Sequence, residues 1–120
     1  MTVFVYPNLE KKNALECTKE ACKVLHDNGA EILMNEALKG DISLDYIKYI
    51  TDYKCLSDCE CIICIGGDGT ILRAASHAIN YGCSVLGINC GRLGFMSSLE
   101  RSDISRLSDL CAGKYTLESR

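Results

Sequence analysis

Two rhythms of apolar and polar positions alternate along this chain. Thr2–Tyr6 is a short apolar run ended by Pro7, which reads as a first strand. From Leu9 to Asn28 the rhythm changes. Ala14, Cys17, Ala21, Val24 and Leu25 recur at three- and four-residue steps with Lys and Glu between them, the stripe of an amphipathic helix. Lys11 and Lys12 read as its solvated start, and Gly29 suits the position that closes it. Ala30–Met34 reads as a second strand and Glu36–Gly40 as a loop. Ser43 suits the cap of a short helix reaching about Tyr53. Cys61–Ile65 is continuously apolar, as expected of a strand covered on both faces. Helical spacing over Thr70–Tyr81 and a strand at Ser84–Ile88 follow. A helix from Ser102 to about Cys111, Gly113 and a strand start at Tyr115–Leu117 end the pattern. Strand and helix alternate, so the expected class is α/β, a parallel sheet flanked by helices. The 120 residues suit one compact domain, without repeat or linker.

Gly66-Gly67-Asp68-Gly69-Thr70 interrupts this pattern between a strand and a helix. Backbone N–H groups at a helix start have no intrahelical partner and can bind an anion. Gly66, Gly67 and Gly69 let a phosphate come close to the backbone. In such sheets ligands bind beyond the carboxyl ends of the strands, where both this segment and Gly87–Phe95 fall. The turn is neither a Walker loop nor the GxGxxG of a dehydrogenase. Asp68 suits a helix cap, since an acid complements the helix dipole. It equally suits phosphoryl transfer, in which a carboxylate orients a hydroxyl and accepts its proton. An acid inside a phosphate cradle favours the second reading. Arg73, one turn into the helix, has the guanidinium geometry for a phosphate.

The Gly66–Thr70 segment resembles the signature of the NAD kinases and of their relatives, the diacylglycerol and sphingosine kinases and 6-phosphofructokinases. Gly87-Ile88-Asn89-Cys90-Gly91-Arg92-Leu93-Gly94-Phe95 is similar to the block that NAD kinases carry one strand later. The opening Val3-Phe4-Val5-Tyr6-Pro7-Asn8 and the closing Tyr115–Arg120 also look like that family, so the resemblance spans the chain. It implies that residues 1–120 form the Rossmann-like N-terminal domain of an NAD kinase. The family's second, all-β domain with its Asn-Glu motif would be absent. The implied activity moves a phosphoryl group from ATP, or another phosphate donor, to the 2′-hydroxyl of the adenosine ribose of NAD, giving NADP. Asp68 would face that hydroxyl as the catalytic residue, with Gly66, Gly67, Gly69, Thr70, Arg73 and Asn89 around the nucleotide. Phe95 would lie against adenine, and Arg92 would face solvent. Mg²⁺ or another divalent cation would come with ATP, without a dedicated protein site. Full-length members assemble as dimers and tetramers. Two alternatives stand beside this reading: a nucleotide-binding fragment without turnover, and a lipid or sugar kinase of the wider group.

Composition narrows the partners. A net charge of -3 and a pI of about 5.3 provide no basic field for nucleic acid or an anionic membrane. No apolar run approaches the ~20 residues of a membrane span. Met1–Tyr6 lacks the basic start of a signal peptide, so the expected compartment is the cytoplasm. Nine cysteines, an odd number without a secretion signal, read as reduced core thiols. Cys55, Cys59, Cys61 and Cys64 are spaced like a zinc knuckle. If residues 60–65 form a strand, however, Cys61 and Cys64 point to opposite faces and cannot share a tetrahedral metal. His26 and His77, without partners at ligand spacing, read as surface or packing residues.

Overall fold

The structure, a computed structural model, describes residues 1–10, 13–52, 54–89, 99–100, 104 and 107. Its strands are β1 (Thr2–Pro7), β2 (Glu31–Asn35), β3 (Ile47–Ile50), β4 (Cys61–Gly66), β5 (Ser84–Asn89) and β6 (Leu99–Glu100). They form one sheet in the order β3-β2-β1-β4-β5-β6, and every neighbouring pair is parallel. This is the doubly wound order, in which the chain leaves β1 for one edge and later leaves β4 for the other. Right-handed crossovers then place the connecting helices on opposite faces. Accordingly α1 (Ala14–Asp27) covers one face and α2 (Asp68–Tyr81) the other.

The period of two along the strands divides the core. Val3, Val5, Ile32, Met34, Cys61, Ile63 and Ile65 join Cys17, Ala21 and Leu25 of α1. Phe4, Leu33, Ile62 and Cys64 join Ile71, Ala74 and Ala78 of α2. Every residue of the central strand β4 is buried, which is why its sequence is apolar without a break. Cys61 and Cys64 do lie in opposite layers, as the strand reading requires.

Several expectations need correction. The segment expected to be a helix from Ser43 to Tyr53 contains β3 instead. There Ile47, Lys48, Tyr49 and Ile50 pair with Ile32, Leu33, Met34 and Asn35. Isoleucines three apart fit a helix locally, but β2 presents an open edge whose N–H and C=O groups only an extended chain can satisfy. The first helix begins at Ala14 rather than near Leu9, after Asn13 in the left-handed region at φ 66°. Residues 36–38, expected as loop, form a 3-10 turn. The second helix starts at Asp68, two residues before Thr70, and β6 was not foreseen. Most of the Ser102–Cys111 helix and all of Tyr115–Leu117 lie outside the described residues. Ile104 and Leu107 are buried against the α1 face. Among the described residues, no helix is long and apolar enough to cross a membrane.

Candidate functional site

Strand register assembles the site. Pro7 stands beside Ile65, and the N–H of Asn8 donates to the carbonyl of Ile65 at 2.8 Å, tying the ends of β1 and β4 together. On the other side, Gly66 stands beside Asn89. The sheet reverses its strand order between β1 and β4, so a crevice opens beyond their carboxyl ends. The glycine turn sits on its rim.

Gly66 and Gly69 serve different purposes. A Cβ added at Gly66 would stand 2.6 Å from Thr70 Oγ1 and 3.3 Å from Asn8 Cβ, so the packing of β1, β4 and α2 demands glycine there. A Cβ at Gly69 would meet nothing within 4 Å. Glycine within a helix costs about 0.5–1 kcal/mol relative to alanine, so the fold gives no reason for Gly69. Close approach of a ligand would. Gly67 is the N-cap and has no side chain to cap the helix. Its carbonyl accepts from the N–H groups of Thr70 and Ile71, both at 3.1 Å. The amides of Thr70 and Ile71 are thus engaged, and no side chain caps the helix start, where the helix dipole favours an anion. Asp68 is the first helical residue.

A cavity of about 470 Å³ lies at this crevice, with Tyr6, Asn8, Glu10, Asp41, Thr70 and Arg73 among its walls. Thr70 is 1% exposed, and its Oγ1 is buried with no hydrogen-bond partner. A buried hydroxyl left unsatisfied costs about 1–3 kcal/mol, so it marks a place where a ligand oxygen would be welcome. Arg73 is exposed along the same wall and brings a fixed positive charge to within one helical turn. Asn8 Oδ1 accepts from the N–H of Glu10 at 3.1 Å and turns the chain out of β1.

The lining has the chemistry of a phosphate site in which a hard cation is tolerable. The Thr70 hydroxyl and the Arg73 guanidinium suit anionic oxygens, while Glu10 and Asp41 supply carboxylates of the kind Mg²⁺ accepts singly or in pairs. Among the described residues, no group of three or more His, Cys, Asp or Glu side chains stands at ligating spacing.

The structure therefore brings Gly66, Gly67, Asp68, Gly69, Thr70 and Arg73 to one rim and sets the backbone of Asn89 beside Gly66. Arg92 and Phe95 lie outside the described residues. Sequence reasoning missed Asn8, Glu10, Leu38 and Asp41 as parts of the cavity wall. The turn signal Pro7-Asn8 directly after a strand could have pointed to the first two. Nothing local marks the others, which arrive from the β2–β3 connection.

The thiols and imidazoles stand apart from this chemistry. Burial pushes Cys22, Cys59 and Cys64 up to about 12 from an ordinary value of 9.0, which suits inert core thiols. The ring of His26 stacks on Tyr46 at 4.1 Å, and that of His77 lies 5.8 Å from Tyr6.

Comparison with known proteins identifies the family and the fold. The family model described as ATP-NAD kinase N-terminal domain matches residues 3–115. The chain is 36% identical to the NAD kinase of Thermoanaerobacter sp. strain X514 over 98% of its own length and 42% of that protein's. It is 33% identical to NAD kinase 2 of Streptomyces avermitilis over 99% of its length and 41% of the relative's. The chain thus spans about two fifths of the curated relatives it matches. A solved fragment of a Peptoclostridium difficile 630 protein shares the fold, with a TM-score of 0.52 at 17% identity over 96% of this chain and 98% of that one.

Proposed function

The chain belongs to the NAD kinase family, and from that premise we propose that it contributes the α/β part of an enzyme that phosphorylates NAD. The reaction joins the 2′-hydroxyl oxygen of the adenosine ribose to the terminal phosphorus of ATP or another phosphate donor. The bond from that phosphorus to its bridging oxygen breaks, so NADP and ADP form and one proton is released. The carrying observation is the buried, unpartnered Thr70 hydroxyl beside a helix start that no side chain caps, both at the strand-order reversal.

In this reading the donor's phosphates lie in the 470 Å³ cavity. The uncapped start of α2, Thr70 Oγ1 and Arg73 receive their oxygens. Asp68 orients the acceptor hydroxyl and takes its proton as the new bond forms. The acceptor lies on the β5 side, toward Asn89, so donor and acceptor meet across Asp68. Mg²⁺ on the donor supplies charge compensation. Catalysis in such a site is mostly positioning and electrostatics, and both are set by the helix start.

The test is a coupled assay for NADP with ATP and Mg²⁺, on the protein extended to the length of its relatives. Formation of NADP with loss of activity in Asp68→Asn is expected. Phosphorylation of a lipid or a sugar in place of NAD would overturn the reading. The isolated 120-residue chain is expected to bind nucleotide with little turnover.

A further inference from the structure

A second cavity, of about 230 Å³, opens at the carboxyl ends of β1 and β2. Phe4, Val5, Ala37 and Asn35 line it, and it shares Tyr6, Pro7 and Leu38 with the larger cavity. The two spaces therefore adjoin across one set of side chains. Their chemistry differs. Glu10, Asp41 and Arg73 line the larger one, whereas among the described residues no charged side chain lines the smaller. A polar compartment adjoining an apolar one matches a nucleotide, whose charged phosphates and flat base need opposite surroundings.

The connection from Glu36 to Tyr46 gives Leu38 and Asp41 to the larger cavity and Ala37 and Leu38 to the smaller, and it is held at many points. Asn35 Oδ1 accepts from the N–H of Ala37 at 2.8 Å, and the N–H of Ile42 donates to the carbonyl of Leu38 at 2.8 Å. Ile42 is fully buried. The Tyr49 hydroxyl donates to the carbonyl of Ile42 and accepts from the N–H of Leu44 at 3.2 Å. The ammonium of Lys39 lies 5.8 Å from the centre of the Tyr49 ring. So anchored, Ala37 and Leu38 present a preformed surface, and little ordering is left to offset on binding.

We propose that the smaller cavity is the subsite for the heteroaromatic base of the phosphate donor, with the Tyr49-anchored connection as its wall. This rests on the reading of the larger cavity as the donor's phosphate site. The donor then runs from Asp68 across the end of β1 toward β2, away from the acceptor side at β5. Tyr49 acts as a positioning residue, since it touches the wall and not the donor.

Ala37 is exposed at the lip of the cavity, so Ala37→Trp obstructs it without burdening the core. In the extended protein, this variant is expected to raise the KM for ATP by about tenfold or more. The KM for NAD and the inhibition by inorganic triphosphate, which has no base, stay unchanged. Tyr49→Phe keeps the ring and removes both hydroxyl hydrogen bonds. It is expected to raise the KM for ATP to a lesser degree, with kcat and triphosphate inhibition unchanged. An unaltered KM for ATP in Ala37→Trp would overturn the subsite while leaving the phosphate reading intact, and so would equal losses for ATP and triphosphate. If the parent protein forms no NADP from ATP, the underlying reading falls and the subsite falls with it.

Discussion

The two βα units of this sheet leave their strands differently. β4 passes into α2 through the single residue Gly67, whereas six residues, 8–13, separate β1 from α1. The short connection brings the α2 start against the strand end, and with it Asp68, Gly69 and Thr70. The long one sets α1 back and lines the crevice with Asn8 and Glu10 instead. Neither helix has a side chain capping its N-terminus. Only α2, however, places its uncapped start at the reversal of strand order. An uncapped helix start is thus not a site in itself. Distance from the strand end, set by the length of the connection, decides which one can be.

The largest effect expected at the short connection is on turnover. Asp68→Asn in the extended protein should lower kcat by roughly 10²–10⁴ with little change in NAD affinity, because Asn keeps the size but cannot take the proton. Steady-state kinetics alongside thermal melting check this. Unchanged kcat with a lower melting temperature would reduce Asp68 to a helix cap and remove the functional contrast between the two units.

Next come two substitutions that should move stability in opposite directions. Gly66→Ala forces a methyl group against Thr70 and Asn8, an overpacking expected to cost about 1–3 kcal/mol in denaturant titrations. Thr70→Val removes the unpartnered hydroxyl at nearly constant volume, so a gain of about 1–3 kcal/mol is expected. Nucleotide binding by the same variant, read by calorimetry, should weaken. A Thr70→Val chain that is both less stable and unimpaired in binding would mean that the hydroxyl serves the fold.

Two smaller effects separate the connections more finely. Gly69→Ala meets open space, so stability should rise by about 0.5–1 kcal/mol while phosphate affinity drops. Higher stability with unchanged affinity would show that no ligand approaches the backbone there. On the long connection, Asn8→Ala loses the hydrogen bond to Glu10, and a cost of about 0.5–1.5 kcal/mol should appear in the same titration. No loss would mean that the turn after β1 is set by Pro7 and the tie to Ile65 alone.

The elements that could be read from the residues are those whose local pattern has one solution. The unbroken apolar run Cys61–Ile65 could only be a doubly covered strand, and the stripe from Ala14 to Leu25 could only face a core. Gly29, expected to close the first helix, takes φ +83°, which glycine adopts without strain. The Ser43–Tyr53 segment had two local solutions. Ile47 and Ile50 fit a helix by spacing and a strand by branching, and the free edge of β2 chose between them. The cavity shows the same divide. Gly66, Asp68 and Thr70 announce themselves as one short motif, whereas Leu38 and Asp41 lie some thirty residues away and are brought there by the pairing of β3 with β2.

By itself the sequence determined the class of fold, the family and the turn at which an anion can be held, since each depends on contiguous residues and the backbone they favour. Tertiary structure alone decided that Gly66 is required by packing and Gly69 is not, that the Thr70 hydroxyl is buried without a partner, and that the connection after β2 closes the cavity. Those facts depend on which atoms from distant segments meet at the end of the sheet. No local pattern of residues records such distances.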